Sequence, residues 1–121
     1  MKLAMAQMRM TGSVEENLKT SLEMCEAARG CDLLFFPEVQ LTPFFPQYAG
    51  RNVDGYVVPA GSPVVQAFAE KAREHRLYLS PNMYLEQGGR RYDASLWLTP
   101  EGECAGVAKM VHIMQAAQFY E

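Results

Sequence analysis

At 121 residues, 49% apolar and 21% charged, the chain has ordinary globular composition and room for one domain or part of one. A net charge of −3 and scattered Lys and Arg, adjacent only at Arg90–Arg91, argue against a nucleic-acid surface. No apolar run reaches bilayer length and the N-terminus lacks a signal-peptide layout, so no membrane association is expected and a cytoplasmic location is the default.

Lys2 to Met10, "KLAMAQMRM", reads as a first strand, apolar on both alternating faces and so expected to be covered on both sides. A helix follows. Ser13 and Glu16 have capping-box spacing, and Val14, Leu18, Leu22 and Cys25 recur at helical spacing as its buried stripe. Gly30 is placed to end it. "LLFF", Leu33 to Phe36, is a short continuous apolar strand stopped by Pro37. Strand, helix and strand in so short a span predict a βαβ unit, with a parallel pair and a right-handed crossover.

From Val39 to Gly61 periodicity dissolves into a stretch rich in Pro, Gly and aromatics, and a loop this long inside a compact domain is more often functional than not. Ser62 as N-cap and Pro63 at the first helical position open a second helix, with Val64, Val65, Phe68, Ala69 and Ala72 on its apolar face. "LYLSPNMYLE" (Leu77 to Glu86), "RRYDASLWL" and "CAGVAKM" then read as the three strands of a meander, separated by "QGG" and "TPEGE" turns. The predicted fold is α/β: βαβ, a helix, and a β meander in one domain without repeats or linkers.

Glu38 lies just past the carboxyl end of a parallel strand, the edge where open α/β sheets place ligands. Apolar neighbours there would raise its pKa and make it a proton carrier near neutrality; the alternative is an ordinary loop acid. Lys109, at the end of "GVAKM", is either a fixed cation for an oxyanion or a solvated strand terminus. Cys25, Cys31 and Cys104 form an odd set without metal-ligand spacing or a CxxC pair, which fits a reducing compartment. With only His75 and His112 to add, no metal site and no cofactor are expected.

Taken together, "FFPE" after a strand–helix–strand opening, then "YDASLWLTPEGECAGVAKM", then "HIMQAAQFYE", resemble the carbon–nitrogen hydrolase (nitrilase) superfamily along essentially the whole chain. The likeness is greatest to the N-carbamoyl-amine and ω-amide amidohydrolases. It implies an αββα sandwich, of which residues 1–121 would form the incomplete N-terminal half, and a Glu–Lys–Cys catalytic set. By that resemblance Glu38 is the general base and acid, Lys109 stabilises the tetrahedral intermediate, and Glu121 assists near the lysine. Phe44 and Tyr48, with Phe45 and Tyr56, either line a substrate pocket or pack the long loop; the first two are the candidate substrate contacts.

Two departures stand out: Asp93 occupies a position commonly Asn, where a structural role is expected, and His112 is one residue further from the lysine than usual. The family's nucleophile follows the lysine, beyond Glu121, and none of the three cysteines stands in for it. The implied activity is hydrolysis of a small amide or N-carbamoyl amine, with this chain by itself inactive. A homo-oligomer pairing uncovered sheet faces is the expected assembly. The competing reading is a non-catalytic interaction or regulatory half-domain. A nucleotide-binding fragment is disfavoured because "MRMTGSVEEN" holds a single glycine where a phosphate loop would lie.

Overall fold

A computed structural model describes residues 1–112 of the chain. Its first three elements are β1 (Leu3–Met5), α1 (Val14–Ala27) and β2 (Leu33–Phe35). β1 and β2 pair in parallel, with Ala4 opposite Leu34, which is the expected βαβ unit. Both strands are shorter than predicted, for one reason. Pro37 has no N–H to continue the ladder, so β2 stops and β1 has nothing to pair with beyond the Ala6 N–H to Phe35 O bond.

Ser13 caps α1 through its side chain, accepting from the Glu16 N–H. The reciprocal half of the capping box is absent. Glu16 instead accepts from the Thr11 hydroxyl, and Thr11 Oγ1 takes the Ser13 N–H. The buried stripe is also turned from its predicted position. Asn17, Ser21 and Cys25 are fully buried, whereas Val14, Leu18 and Leu22 are half-buried. Polar residues take the inward positions because the loop after β2 supplies their hydrogen-bond partners, as described below.

That loop carries two short 3₁₀ turns, Phe45–Gln47 and Asp54–Tyr56, and then a two-residue strand absent from the sequence reading, β3 (Val58–Pro59). Helix α2 (Pro63–His75) starts at Ser62 as predicted, although the Ser62 side chain makes no capping bond. The predicted strand over 77–86 is two strands, β4 (Tyr78–Ser80) and β5 (Asn82–Gln87), parted at Pro81. Pro81 has no N–H to give, and its carbonyl accepts from Leu96 N, which keeps the two pieces on the same neighbour. β6 (Arg90–Leu98) and β7 (Cys104–Lys109) complete the meander. Gly88 and Gly89, both at positive φ, form the two-residue hairpin turn between β5 and β6.

Among the described residues these strands form one seven-stranded mixed sheet. β1, β2 and β4 run parallel; β6 lies antiparallel to β4 and β5 on one side and to β7 on the other, with β3 outside β5. Ala4, Leu34, Leu79 and Leu98 form one row across the sheet and point at the helices. With Phe68, Ala72, Cys25 and Leu96 they make the core. The opposite face was expected to be covered at β1 and is not: Leu3 is 51% and Met5 79% exposed, and Tyr78 and Trp97 are exposed beyond them.

α1 and α2 are joined on the helical layer by Lys71, whose ammonium bonds the carboxylates of Glu26 and Glu74. Lys71, then Arg29 and His75, hold the Glu26 carboxyl down at about 2. Because the folded value lies below the ordinary one, this pairing supports the fold above pH ~4.5 and is lost as the pH falls from there toward 2. Acid titration of the folded fraction should therefore show a shallower limb in Lys71→Met than in the parent. Identical limbs would mean that the pairing carries no stability.

The "TPEGE" turn seats on α2. Gly102 has φ +80, and a Cβ there would lie 2.7 Å from Ala69 O. Gly102→Ala should cost about 1–3 kcal/mol for the backbone conformation and about 1–3 kcal/mol more for the overlap. A denaturant midpoint within error of the parent would contradict this contact.

Candidate active site

The topology explains how two residues far apart in sequence come to one place. β6 is antiparallel to β4 and β7 antiparallel to β6, so β7 runs in the direction of β2. The carboxyl ends of β2 and β7 therefore lie on the same edge of the sheet, and these are the ends that carry Glu38 and Lys109. Both line one cavity of about 390 Å³, together with Asn82, Asp93, Ser95, Ala108 and Met110.

Glu38 is presented by a tight and unusual turn. Val39, the next residue, has φ +42 although it is β-branched and 1% exposed. Such a conformation costs about 1–2 kcal/mol, so other contacts must hold it. The Val39 N–H donates to Asn82 Oδ1 at 2.5 Å, and Val39 O accepts from Thr42 N at 2.9 Å. Gln40, fully buried, accepts from Asn82 N through Oε1 (2.9 Å) and donates through Nε2 to Ser21 Oγ (3.2 Å). Ser21 Oγ in turn donates to Asn17 O, and Asn17 Nδ2 donates to Leu41 O at 2.9 Å. A continuous polar chain thus ties the Glu38 turn to the inner face of α1.

The other wall is fixed from β6. Asn82 Nδ2 donates to Asp93 Oδ1 (2.7 Å) and Ser95 Oγ (3.1 Å), while the Asp93 carbonyl accepts from Met110 N (2.9 Å), next to Lys109. Asp93, for which a structural role was expected, is buried and also lines the cavity. Among the described residues its Oδ2 has no hydrogen-bond partner. Lys109 is half-buried with Nζ 4.1 Å from the centre of the Tyr92 ring, a cation–π contact with a residue that does not itself line the cavity.

One expectation is corrected here. Glu38 was predicted to sit among apolar groups that keep it poorly hydrated, yet its side chain is exposed, because the face of the sheet beside the cavity is open. The structure supplies position and not desolvation. Glu121, the third candidate, lies outside the described residues.

The aromatics of the long loop divide. Phe45 is buried with its ring 5.0 Å from that of Tyr84 and 5.8 Å from that of Tyr56, so these residues pack the loop onto the sheet. Tyr48 is half exposed under the Arg51 guanidinium, and neither it nor Phe44 lines the cavity of Glu38 and Lys109. None of the three cysteines lines it either. Cys25 is fully buried and its thiol is pushed up to about 12 by burial, which makes it inert; Cys31 is half-buried; Cys104 is exposed at the start of β7, the end remote from Lys109.

Sequence reasoning missed Gln40, Asn82 and Ser95 as parts of this site. The only signal for them was polar residues set among apolar ones in "EVQLT" and "SPNMY", and that pattern does not name a partner. For metal ligation, Glu26, Glu74 and His75 bring ligand atoms within 4.8 Å of one another on the helical layer. Lys71 already bonds both carboxylates, so the cation at that position is its ammonium.

Of the residues that line the cavity, Glu38 has a carboxylate of the kind that can carry a proton and Lys109 an ammonium of the kind that can stabilise an oxyanion. A family profile described as carbon–nitrogen hydrolase matches residues 2–121. The structure is similar to that of a carbon–nitrogen hydrolase from Helicobacter pylori G27, with a TM-score of 0.84 at 16% identity over 94% of this chain and 40% of that one. It is similar also to Saccharomyces cerevisiae Nit3, of branch 10 of the nitrilase superfamily (TM-score 0.71, 19% identity, 93% of this chain and 44% of that one). A third likeness is to an N-terminal amidase holding an Asn-Glu-Ala peptide (TM-score 0.80, 16% identity, 98% of this chain and 30% of that one). In each case the chain spans less than half of the solved protein.

Proposed function

The chain belongs to the carbon–nitrogen hydrolase family, and on that premise we propose that it supplies the base and the cation of a Glu–Lys–Cys hydrolase acting on small amides or N-carbamoyl amines. The observation that supports this most is the convergence of Glu38 and Lys109 on one cavity from two strands that meet only through the sheet topology.

In this reading Glu38 takes the proton of a cysteine thiol brought to the cavity from outside residues 1–121. The thiolate attacks the substrate carbonyl carbon, and the oxyanion that develops is met by the Lys109 ammonium. As the C–N bond breaks, Glu38 returns its proton to the departing amine or ammonia. Water, deprotonated by Glu38, then cleaves the thioester and restores the thiol. The charges of Glu38 and Lys109 act more strongly once the open face is covered and water is excluded. Of the two substrate classes, N-carbamoyl amines are favoured by the sequence resemblance and amides by the amidase among the similar structures.

The non-catalytic alternative gains nothing from the cavity, since a domain released from catalysis has no need to keep an acid and a lysine lining one cavity. The 121-residue chain alone should show no amide or carbamoyl hydrolysis above buffer. Turnover by the purified chain that disappears in Glu38→Gln would overturn the assignment of the nucleophile to a segment outside it.

A further inference from the structure

We propose that Asn82 is the positioning residue that sets Glu38 against Lys109, with Asp93 as its anchor. The inference rests on the reading of Glu38 and Lys109 as a working pair, but the contacts that carry it stand apart from that reading.

Asn82 uses its whole carboxamide. Oδ1 accepts from Val39 N, the peptide directly after Glu38, and Nδ2 donates to both Asp93 Oδ1 and Ser95 Oγ. Asp93 passes the link on through its carbonyl, which accepts from Met110 N, the peptide directly after Lys109. Glu38 and Lys109 are therefore joined through Asn82 and Asp93 by hydrogen bonds to the peptide that follows each of them. The Glu38 end needs such a tie, since Val39 is held at positive φ and would relax to ordinary backbone if released. Relaxation there would swing the Glu38 side chain, because the same peptide sets its direction.

The chemistry at position 82 is restrictive. One acceptor and two donors on a single planar group are what a carboxamide offers, and a carboxylate offers no donors. Position 93 is less so. Asp93→Asn retains an acceptor oxygen for Asn82 Nδ2, whereas Asn82→Asp places two carboxylates face to face and breaks the link. Exchanging the two groups restores it: the carboxylate introduced at position 82 accepts from both Val39 N and the carboxamide introduced at position 93, and the Ser95 hydroxyl turns to donate.

The test is amide hydrogen exchange on the 121-residue chain, read at Val39 and, as a control for global opening, at Leu79 in the core. Asn82→Leu and Asn82→Asp should each speed exchange at Val39 at least ten-fold while Leu79 is unchanged. Asp93→Asn should leave Val39 slow, and Asn82→Asp combined with Asp93→Asn should return Val39 to the parent rate. Unchanged exchange at Val39 in Asn82→Leu, or a double exchange variant no slower than Asn82→Asp, overturns the proposal. Should Asn82→Leu fail to fold, the comparison of the double variant with Asn82→Asp decides alone, with fold and protection restored together as the supporting result. None of these readings involves turnover. A failed clamp with a Glu38-dependent activity leaves the hydrolase reading intact, and a sound clamp with no such activity leaves Asn82 in place without it.

Discussion

On the proposed mechanism, Glu38→Gln in the longest in-frame gene product that contains these residues should lower kcat toward an amide or N-carbamoyl amine by about 10²–10⁴ with little change in KM. The substitution keeps shape and hydrogen-bonding reach but removes the group that carries the proton in both half-reactions. Substrate binding, which depends on the shape of the cavity, is largely spared. Lys109→Met leaves the alkyl stem against Tyr92 and removes only the charge, and its cost should be about 10²–10³ in kcat. The two losses should not add, since each group serves the same tetrahedral intermediate. Steady-state kinetics on the two single variants and the double variant measure this. Near-parental kcat in Glu38→Gln, in a protein that does turn over, would remove Glu38 from the mechanism.

Residues 1–121 by themselves are expected to associate in solution as a dimer or larger species, with the open face of the sheet as the proposed contact. That face carries Leu3, Met5, Tyr78 and Trp97 exposed in one patch, with the rings of Tyr78 and Trp97 5.6 Å apart. A groove of about 520 Å³ continues it between Phe35, Trp97 and Val107. A contiguous apolar surface of this kind is rare on a stable monomer, and a specific pair would need to cover about 800 Å² of it on each copy. Because the contact is apolar, association should persist in about 1 M salt, where exposed charge pairs are screened within about 3 Å. Met5→Glu with Trp97→Glu should return a monomer, since two carboxylates per copy would be buried without partners. Sedimentation at several concentrations measures both states. A compact parental monomer that unfolds cooperatively would show that the face is stable when bare.

The outer form of the molecule was largely legible in the sequence. Helix periodicity, the Ser13 and Ser62–Pro63 starts, the Gly88–Gly89 turn and the βαβ order are local signals, and each reports on backbone geometry that neighbouring residues set for themselves. Element ends were less so, because they depend on where a pairing partner stops, as at Pro37 for β1 and at Pro81 between β4 and β5. The rotation of α1 was not legible at all. A helix face is chosen by total interaction free energy, and Asn17 and Ser21 turn inward for hydrogen bonds to a loop that lies outside the helix.

The same division holds for the candidate site. Glu38 and Lys109 could be picked out by their positions at strand ends and by family resemblance, since those are properties of linear order. That they share a cavity follows only from the sheet, which turns the chain twice through antiparallel β6 before β7 regains the direction of β2. Asn82, Asp93 and the strained Val39 became meaningful only in three dimensions, because a hydrogen bond between residues 39 and 82 leaves no periodic trace in sequence. Hydration of Glu38 was likewise decided by tertiary structure: the apolar run before it says how the strand is buried, while exposure of the carboxylate depends on what lies across the open face.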